Sequence, residues 1–240
     1  FAQLRCGDGV VPLLRRPMSV ARAAGDTVSF VFERVGAGTR ALAAMRPGEA
    51  LDVLGPLGVG FTMPDGGRAV CVSGGLGCAP FPLAVATALA AGVAEVVVLN
   101  GAATAARLYP AERFSVAGGA VRVVEATDDG SRGHRGRVTD LVATELARGG
   151  VSALWACGPN PMLAALAGAV EGRADRPAIC EVSLEAPMGC GFGTCLGCAL
   201  PMRREPGSPA WELCCRAGPV MDITRVDWGA VAALPPASVA

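Results

Sequence analysis

The sequence lacks the residues from which a self-contained catalytic site is usually built. Its only histidine is His134, which stands in a stretch rich in Gly, Arg and Ser and has no partner in the sequence. We interpret His134 as a solvated loop residue. No Ser/His/Asp arrangement, paired carboxylates or histidine-rich metal site is visible. Any chemistry therefore has to be supplied by bound cofactors.

The chain also lacks an excess of charge of either sign. It has 21 basic and 21 acidic residues, a net charge of zero and no long run of one sign. We therefore expect no nucleic-acid partner and no anionic membrane surface as partner. A chain of 240 residues is long enough for one large domain or two small ones.

A secretory signal is missing from the start of the sequence as well. Because the chain begins abruptly at Phe1, we expect native residues to precede it. Residues 69–94 carry no charge, but their Gly and Pro residues favour a strand, a tight loop and a helix over a membrane span. We expect a cytoplasmic protein with no membrane association, whose 10 cysteines bind metal or stay free.

The most distinctive stretch is a cysteine-rich loop at residues 188–198. It places Cys190, Cys195 and Cys198 at the spacing C-x4-C-x2-C, and a fourth thiol follows at Cys214 or Cys215. This spacing is that of a plant-type [2Fe–2S] cluster, in which four thiolates hold two irons. The glycines at 189, 191, 193 and 197 permit positive φ and leave backbone N–H groups free to point at sulfur.

Two other uses of these thiols are weaker. A structural zinc site usually has two C-x2-4-C pairs, and no second such pair follows the loop. A disulfide framework is compatible with an even number of cysteines, but nothing else in the chain indicates secretion. The spacing favours the cluster over a zinc-stabilised binding module, while the residues alone leave Cys214 and Cys215 as alternatives.

The chain is expected to have a β-rich first part and an α/β second part. Residues 1–65 alternate short β-type runs with turns, with the clearest strand at 28–33 and a short helix near 40–45, which predicts a small antiparallel barrel. In residues 66–184 strands alternate with helices, which predicts a parallel sheet with helices on both faces. The expected strands there are residues 69–73, 96–99, 121–125, 154–157 and 179–184, and the expected helices are residues 81–91, 139–148 and 161–171. Residues 185–240 form the cluster segment and an irregular tail.

Turns that contain glycine follow three of these strands. Gly74, Gly75 and Gly77 stand between a strand and a helix, where a backbone can approach a pyrophosphate at the helix N-terminus. The spacing departs from G-x-G-x-x-G because Ala79-Pro80 replaces a third glycine, and such turns also occur without ligands. Cys157-Gly158-Pro159 and residues 127–131 follow other strands and are expected on the same edge of the sheet.

Two motifs in the first part suit a flavin or a phosphate. Arg16-Pro17-Met18-Ser19 offers a guanidinium and a hydroxyl next to a backbone fixed by proline. Gly38-Thr39 adds a glycine-rich turn with a hydroxyl, which suits a diphosphate. Taken alone, the first motif is more commonly an exposed basic turn, and the second is also explained as a hairpin turn.

In this order, the motifs resemble the ferredoxin–NADP reductase superfamily, and most closely the electron-transfer subunits of NAD-dependent (class 1B) dihydroorotate dehydrogenase. The most specific part is Ser183-Leu184-Glu185-x-x-Met188-x-Cys190-Gly191-x-Gly193-x-Cys195-x-Gly197-Cys198, completed by Cys215-x-x-Gly218-Pro219-Val220. In that family two residues separate the fourth ligand from Gly-Pro-Val, which implies Cys215.

The resemblance implies an FAD-binding barrel, an NAD-binding domain and a [2Fe–2S] segment. The implied cofactor contacts are Arg16, Pro17, Met18, Ser19, Val31, Phe32, Glu33, Gly38 and Thr39 for FAD, and Gly74, Gly75, Gly77, Cys157, Gly158 and Pro159 on the NAD edge. The implied metal ligands are Cys190, Cys195, Cys198 and Cys215.

The implied activity is electron transfer between NAD and a catalytic dihydroorotate dehydrogenase subunit that carries FMN. The two proteins would form a heterotetramer in pyrimidine (UMP) biosynthesis, with dihydroorotate oxidised on the partner. The alternative is a flavin/iron–sulfur reductase subunit of another complex, of the ferredoxin:NADP reductase, sulfide dehydrogenase or hydrogenase diaphorase type. NADP stays open as co-substrate, because residues 99–101 lack an acidic side chain and Arg107 is near.

Overall fold

A computed structural model describes residues 1–7, 12–204 and 210–234. Its strands are β1 (Ala2–Leu4), β2 (Arg16–Met18), β3 (Val20–Ala24), β4 (Thr27–Phe30), β5 (Val53–Leu54), β6 (Arg68–Gly74), β7 (Glu95–Ala102), β8 (Val121–Thr127), β9 (His134–Arg135), β10 (Val151–Cys157), β11 (Ile179–Ser183), β12 (Ala199–Pro201), β13 (Trp211–Leu213) and β14 (Val220–Asp222). Its helices are α1 (Ala37–Ala44), α2 (Phe81–Ala90), α3 (Val142–Ala147), α4 (Asn160–Val170), α5 (Cys214–Ala217) and α6 (Trp228–Ala232).

A seven-stranded sheet in the order β14-β11-β10-β6-β7-β8-β9 forms the centre of the molecule. All neighbouring strands are parallel except β14, which pairs antiparallel with β11. Its inner strands are apolar on both faces, as expected for strands covered by helices on either side. Val70 and Val72 pack with α3 and α4, whereas Ala69 and Cys71 pack with α2. The predicted α/β architecture is therefore confirmed.

The last part of the chain is more regular than predicted. It contains β12, β13, α5, β14 and α6, so the expectation of an irregular tail is wrong. Met221, Ile223 and Val226 are buried in the same apolar cluster as α4. These short elements are stabilised by partners distant in sequence, and therefore leave no periodic pattern. Similarly, the helix expected at 139–148 starts as a 3-10 turn, Val138–Leu141, before α3.

The first part of the chain consists of antiparallel strands, as expected. β1 lies between β2 and β5, and β3 pairs with β4. Within the described residues these strands form two separate small sheets and do not close into a barrel. The strand expected at 28–33 ends at Phe30, and residues 31–33 continue without strand pairing. Division into domains at residues 65 and 184 stays a prediction.

Phe61 and Thr62 lie between the small sheets and the central sheet in the sequence, and they attach this segment to the central sheet. The Thr62 N–H and hydroxyl both donate to the carboxylate of Glu181, at 2.8 and 2.7 Å. Phe61 stacks on Phe81, with ring centroids 5.7 Å apart, and also contacts Trp155. None of the helices found in the described ranges has the length and apolar character that a bilayer crossing requires.

A network of ion pairs fastens the amino edge of the central sheet. Arg68 on β6 donates to Glu95 on β7 at 2.7 Å, and this hydrogen bond is the main cause that lowers the pKa of Glu95. Glu145 on α3 accepts from Arg68 at 3.0 Å and from Arg122 on β8 at 2.6 Å. Only 6% of the Glu145 side chain is exposed. The network therefore joins β6, β7, β8 and α3 at the amino edge of the sheet, opposite the carboxyl ends of the strands.

We expect Glu145→Ala to lower the free energy of unfolding by about 3 kcal/mol, because it leaves the partly buried guanidinium groups of Arg68 and Arg122 without their most buried acceptor. This is the lower end of the usual range, since Arg68 and Arg122 keep Glu95 as a partner. Denaturant unfolding followed by circular dichroism measures the change. The matched control is Asp175→Ala, which removes the exposed Arg173–Asp175 pair and should leave stability unchanged. Equal effects of the two substitutions would contradict the assignment.

Candidate functional site

A cleft of about 720 Å³ lies between the antiparallel strands of the first part and the carboxyl edge of the central sheet. This volume is typical of a cofactor or ligand site. Of the residues predicted to contact FAD, its walls contain Arg16, Pro17, Met18, Ser19, Val31, Phe32, Glu33 and Thr39. Of those predicted for the NAD edge, they contain Gly77 and Cys157. Gly38, Gly74, Gly75, Gly158 and Pro159 are absent from the cleft wall.

The Arg16 side chain lies across the first turn of α1. A Cβ on Gly38 would be only 2.8 Å from Arg16 Nε, so glycine is what allows this approach. One guanidinium nitrogen donates to the Leu14 carbonyl at 2.8 Å, and no carboxylate in the described part of the chain pairs with Arg16. A guanidinium without a carboxylate partner, next to the backbone N–H groups at the start of a helix, suits an anion such as a diphosphate.

Thr39 has a structural task in this turn. Its hydroxyl accepts the backbone N–H groups of Val35 and Gly36, at 2.9 and 3.1 Å. The side chain therefore shapes the start of α1. Val31 packs against the core of the central sheet and Phe32 against that of the small sheet, so this unpaired segment bridges the two cores.

Glu33 and Arg107 form an ion pair that the sequence did not indicate. Arg107 donates to both carboxylate oxygens at 3.2 Å, and both side chains are exposed. The arginine considered as an NADP contact is thus paired with a residue predicted to line the flavin.

The glycine turn after β6 packs directly on the end of β10. A Cβ on Gly77 would overlap the carbonyl group of Cys157, and one on Gly74 would overlap the Met162 sulfur. Ser73 and Asn100 are neighbours in register at the ends of β6 and β7. Both are buried, and Ser73 Oγ and Asn100 Oδ1 have no hydrogen-bond partner among the described residues. Such unpaired polar atoms are costly, and a polar ligand at this edge would satisfy them.

The end of β10 contributes a neutral thiol to the cleft. Burial raises the pKa of Cys157 to about 12, although a hydrogen bond with Ser183 acts in the opposite direction. Glu185 was missed as a site residue, yet it lines the cleft and burial raises its pKa. The residue as a whole is nevertheless exposed to solvent, so the effect of burial on this carboxyl is limited. Its position just after β11, at the same carboxyl edge of the sheet, could have identified it as a site residue from the sequence.

The cysteine loop places the predicted ligands in two pairs. The Cys195 N–H donates to Cys190 Sγ at 3.5 Å, and the Cys215 N–H donates to Cys198 Sγ at 3.4 Å. Hydrogen bonds from backbone N–H groups, first that of Cys195, lower the pKa of Cys190 to about 6. Burial raises the pKa of Cys215 to about 12, and the neighbouring Cys198 and Cys190 add to the effect. Cys215 therefore lies within electrostatic reach of both Cys198 and Cys190.

Cys214 points elsewhere. It is fully buried, and its sulfur lies 3.7 Å from the Leu184 carbonyl oxygen in the core. All ten cysteines are described, and all are free thiols. No group of three or more His, Cys, Asp or Glu side chains converges on a single-ion position in the described ranges. The contacts found there instead join Cys190 Sγ to the Cys195 backbone and Cys198 Sγ to the Cys215 backbone, an arrangement compatible with two thiolates for each iron of a two-iron cluster.

The loop backbone turns at three residues with positive φ. These are Gly191 (84°), Gly193 (93°) and Leu196 (59°). Gly189 and Gly197 do not use the positive φ that glycine permits; a Cβ there would contact Cys195 Sγ at 3.4 and 3.7 Å. These glycines leave room beside the thiol.

His134 lies away from both regions. It belongs to the two-residue strand β9 and is exposed, with Nε2 3.5 Å from Asp140 Oδ2. The expected exposure is present, but the residue has a partner and lies on a strand.

Two family models match the chain. The iron–sulfur cluster binding domain of dihydroorotate dehydrogenase B matches residues 185–227, and the oxidoreductase NAD-binding domain matches residues 71–167. Among solved structures, the chain is similar to NADH-dependent reduced ferredoxin-NADP oxidoreductase, with a TM-score of 0.78 and 26% identity over 95% of this chain and 79% of that chain. It is also similar to a cytochrome P450 reductase from Amycolatopsis, with a TM-score of 0.61 and 28% identity over 75% and 58% of the two chains.

Two curated relatives resemble it along almost its whole length. It is 40% identical over 229 residues to the dihydroorotate dehydrogenase B (NAD(+)) electron transfer subunit of Geobacillus thermodenitrificans, covering 92% of this chain and 82% of the relative. It is 37% identical over 232 residues to that of Desulforamulus reducens, covering 95% and 86%. By this similarity, the chain belongs to the family of dihydroorotate dehydrogenase B electron transfer subunits.

Proposed function

We propose that this chain transfers electrons between NAD and a catalytic dihydroorotate dehydrogenase subunit through FAD and a [2Fe–2S] cluster. One observation carries the proposal. A single cleft joins the predicted flavin residues to the sheet edge, and its wall at Met188 continues directly into the loop of Cys190. Membership of the electron-transfer family supports the same conclusion.

The residues assigned to each cofactor follow from this arrangement. We assign FAD to the walls at Arg16-Pro17-Met18-Ser19, residues 31–33 and Thr39, with Arg16 toward the diphosphate. Gly38 contributes by allowing the close approach of Arg16. We assign NAD to the edge formed by residues 74–77 and 157–159. The cluster is assigned to Cys190, Cys195, Cys198 and Cys215. When bound, FAD links the two-electron chemistry of NAD to the one-electron chemistry of the cluster.

The chain's own residues hold the cofactors, orient them and keep water away from them. The neutral thiol of Cys157 adds no charge beside the flavin position. Apolar side chains of the wall, including Val31 and Leu184, limit the access of water to the cleft. Backbone N–H groups of the cysteine loop point at the Cys190 sulfur and favour its thiolate, the form that binds iron.

The proposal assigns oxidation of dihydroorotate to the partner. We infer a heterotetramer with an FMN-carrying catalytic subunit, acting in the cytoplasm in UMP biosynthesis. A reductase subunit of another complex is the second candidate, favoured by the similarity to ferredoxin-NADP oxidoreductase. Turnover of dihydroorotate by this chain without any partner would contradict the division of labour.

The first test is an anaerobic absorbance spectrum of the purified chain, with assays for iron, sulfide, zinc and flavin. We expect about two irons and one FAD per chain. The visible absorbance should fall when NADH is added. A colourless protein that holds zinc after reconstitution would instead support the zinc-stabilised binding module.

The adjacent cysteines provide a matched pair of substitutions. Cys215→Ser should lose most of the iron and of the cluster's visible absorbance, because Cys215 lies against Cys198 at the loop. Cys214→Ser should keep both, because this thiol faces the Leu184 carbonyl in the core. Iron content and the EPR signal of the reduced protein measure the difference. Retention of the cluster by Cys215→Ser and its loss from Cys214→Ser would reverse the assignment.

Arg16→Leu should weaken FAD binding about tenfold or more, since a hydrogen bond to a charged group contributes about 1.5–3 kcal/mol. Flavin release into ultrafiltrate, measured by fluorescence, gives the dissociation constant. Arg46→Leu is the control, because Arg46 is exposed and absent from the cleft wall. Equal affinities of the two variants would exclude Arg16 from the flavin site.

A further inference from the structure

Gln3 occupies an unusual place for a polar side chain. It is the middle residue of β1, between Pro17 on β2 and Leu54 on β5, and it is 0% exposed. Its neighbours Ala2 and Leu4 point into the apolar core of the small sheet. Because successive side chains on a strand alternate, Gln3 points to the opposite face.

That face lies against the cysteine loop. A Cβ on Gly191 would be 2.6 Å from Gln3 Cγ and 2.7 Å from Nε2. Gly191 also has a φ of 84°, so both its backbone conformation and its contact with Gln3 favour glycine. The amide of Gln3 therefore packs on the residue that directly follows Cys190.

The Gln3 amide has no partner. Neither Nε2 nor Oε1 forms a hydrogen bond within the described residues, and both atoms are shielded from solvent. A buried polar group left unpaired costs about 1–3 kcal/mol, so such groups normally have an acceptor or donor nearby. Sulfur atoms of iron–sulfur clusters accept N–H hydrogen bonds, and these bonds tune the reduction potential.

We propose that Gln3 donates its side-chain N–H to a sulfur of the cluster on the side of Cys190, and that this hydrogen bond raises the cluster's reduction potential. The inference rests on the proposed function. Reduction adds negative charge to the cluster, and an N–H dipole stabilises that charge more in the reduced form than in the oxidised form. Gln3 would thus tune the cluster's reduction potential through a hydrogen bond, without taking part in the electron transfer itself.

The position also connects the two proposed cofactor sites. Gln3 is in register with Pro17, which belongs to the motif assigned to FAD. One strand thus contacts the cysteine loop with its side chain and supports the flavin wall with its backbone.

The test compares Gln3→Met and Gln3→Glu with the unaltered protein in its loaded form. Methionine keeps the length and removes the donor, and an ionised glutamate, obtained by titrating at high pH, replaces the donor with a charged acceptor. Both should shift the cluster's potential to more negative values, so that its reduced-to-oxidised ratio at the original midpoint falls about tenfold, the effect of one hydrogen bond of about 1.4 kcal/mol. Anaerobic potentiometric titration followed by EPR measures this, while the flavin midpoint should stay unchanged.

The matched control is Trp155→Phe. Trp155 Nε1 is another buried donor without a partner, but it lies in the core on the other face of the central sheet from Cys198 and Cys215. This substitution should leave the cluster potential unchanged. An unchanged cluster potential in Gln3→Met with full iron content, or a shift confined to the flavin, would overturn the proposal.

A measurement on the unaltered protein covers the case in which the variants fail to load. Gln3 is the only glutamine in the sequence, so cell-free synthesis with ¹⁵N-amide glutamine labels a single side chain. Hyperfine spectroscopy of the reduced cluster should detect coupling to that nitrogen. Absence of this coupling in a loaded sample excludes the hydrogen bond. A chain that assembles no iron–sulfur cluster at all contradicts the proposed function instead.

Discussion

The candidate site depends on the parallel register of β6, β10 and β11. This register brings Ser73, Cys157 and Ser183 side by side at one edge of the sheet, although they are far apart in sequence. The segments proposed to bind NAD, and those that form the side of the cleft nearest the central sheet, directly follow these three residues. The glycine turn closes on Cys157 because Gly77 has no Cβ, and the segment after Ser183 passes along the cleft to the cysteine loop.

The two edges of the sheet are used differently. At the amino edge, Glu145 and its arginines satisfy one another, and charge there contributes to stability. At the carboxyl edge, Ser73 and Asn100 are buried, and their side-chain oxygens find no partner in the part of the chain that the structure describes. Proteins tolerate such unpaired groups mainly where ligands bind, so the distribution of satisfied and unsatisfied polar atoms separates the stabilising edge from the binding edge.

The sequence predicted most of what depends on local pattern. The apolar strands and their helices follow from periodicity. The C-x4-C-x2-C spacing singled out the loop in which the Cys195 N–H donates to the Cys190 sulfur, and the binding of a cluster there stays a prediction. The sequence did not reveal β14, whose three residues are ordered by pairing with β11. It also did not reveal the Glu33–Arg107 pair, the role of Thr39 or the burial of Gln3. Each of these depends on a contact that the local pattern does not encode.

The four thiols predicted to bind the cluster differ in how easily small molecules reach them. Cys198 and Cys215 are each only 2% exposed, whereas Cys195 is exposed and Cys190 is half-buried. A cluster held by these residues would have one iron shielded by the protein and the other near the surface. Electrons would travel the shortest distance through the exposed iron, and dissolved oxygen would reach that same iron first. For such a cluster, fast exchange with a partner and sensitivity to air would share one cause, the asymmetric burial of its ligands.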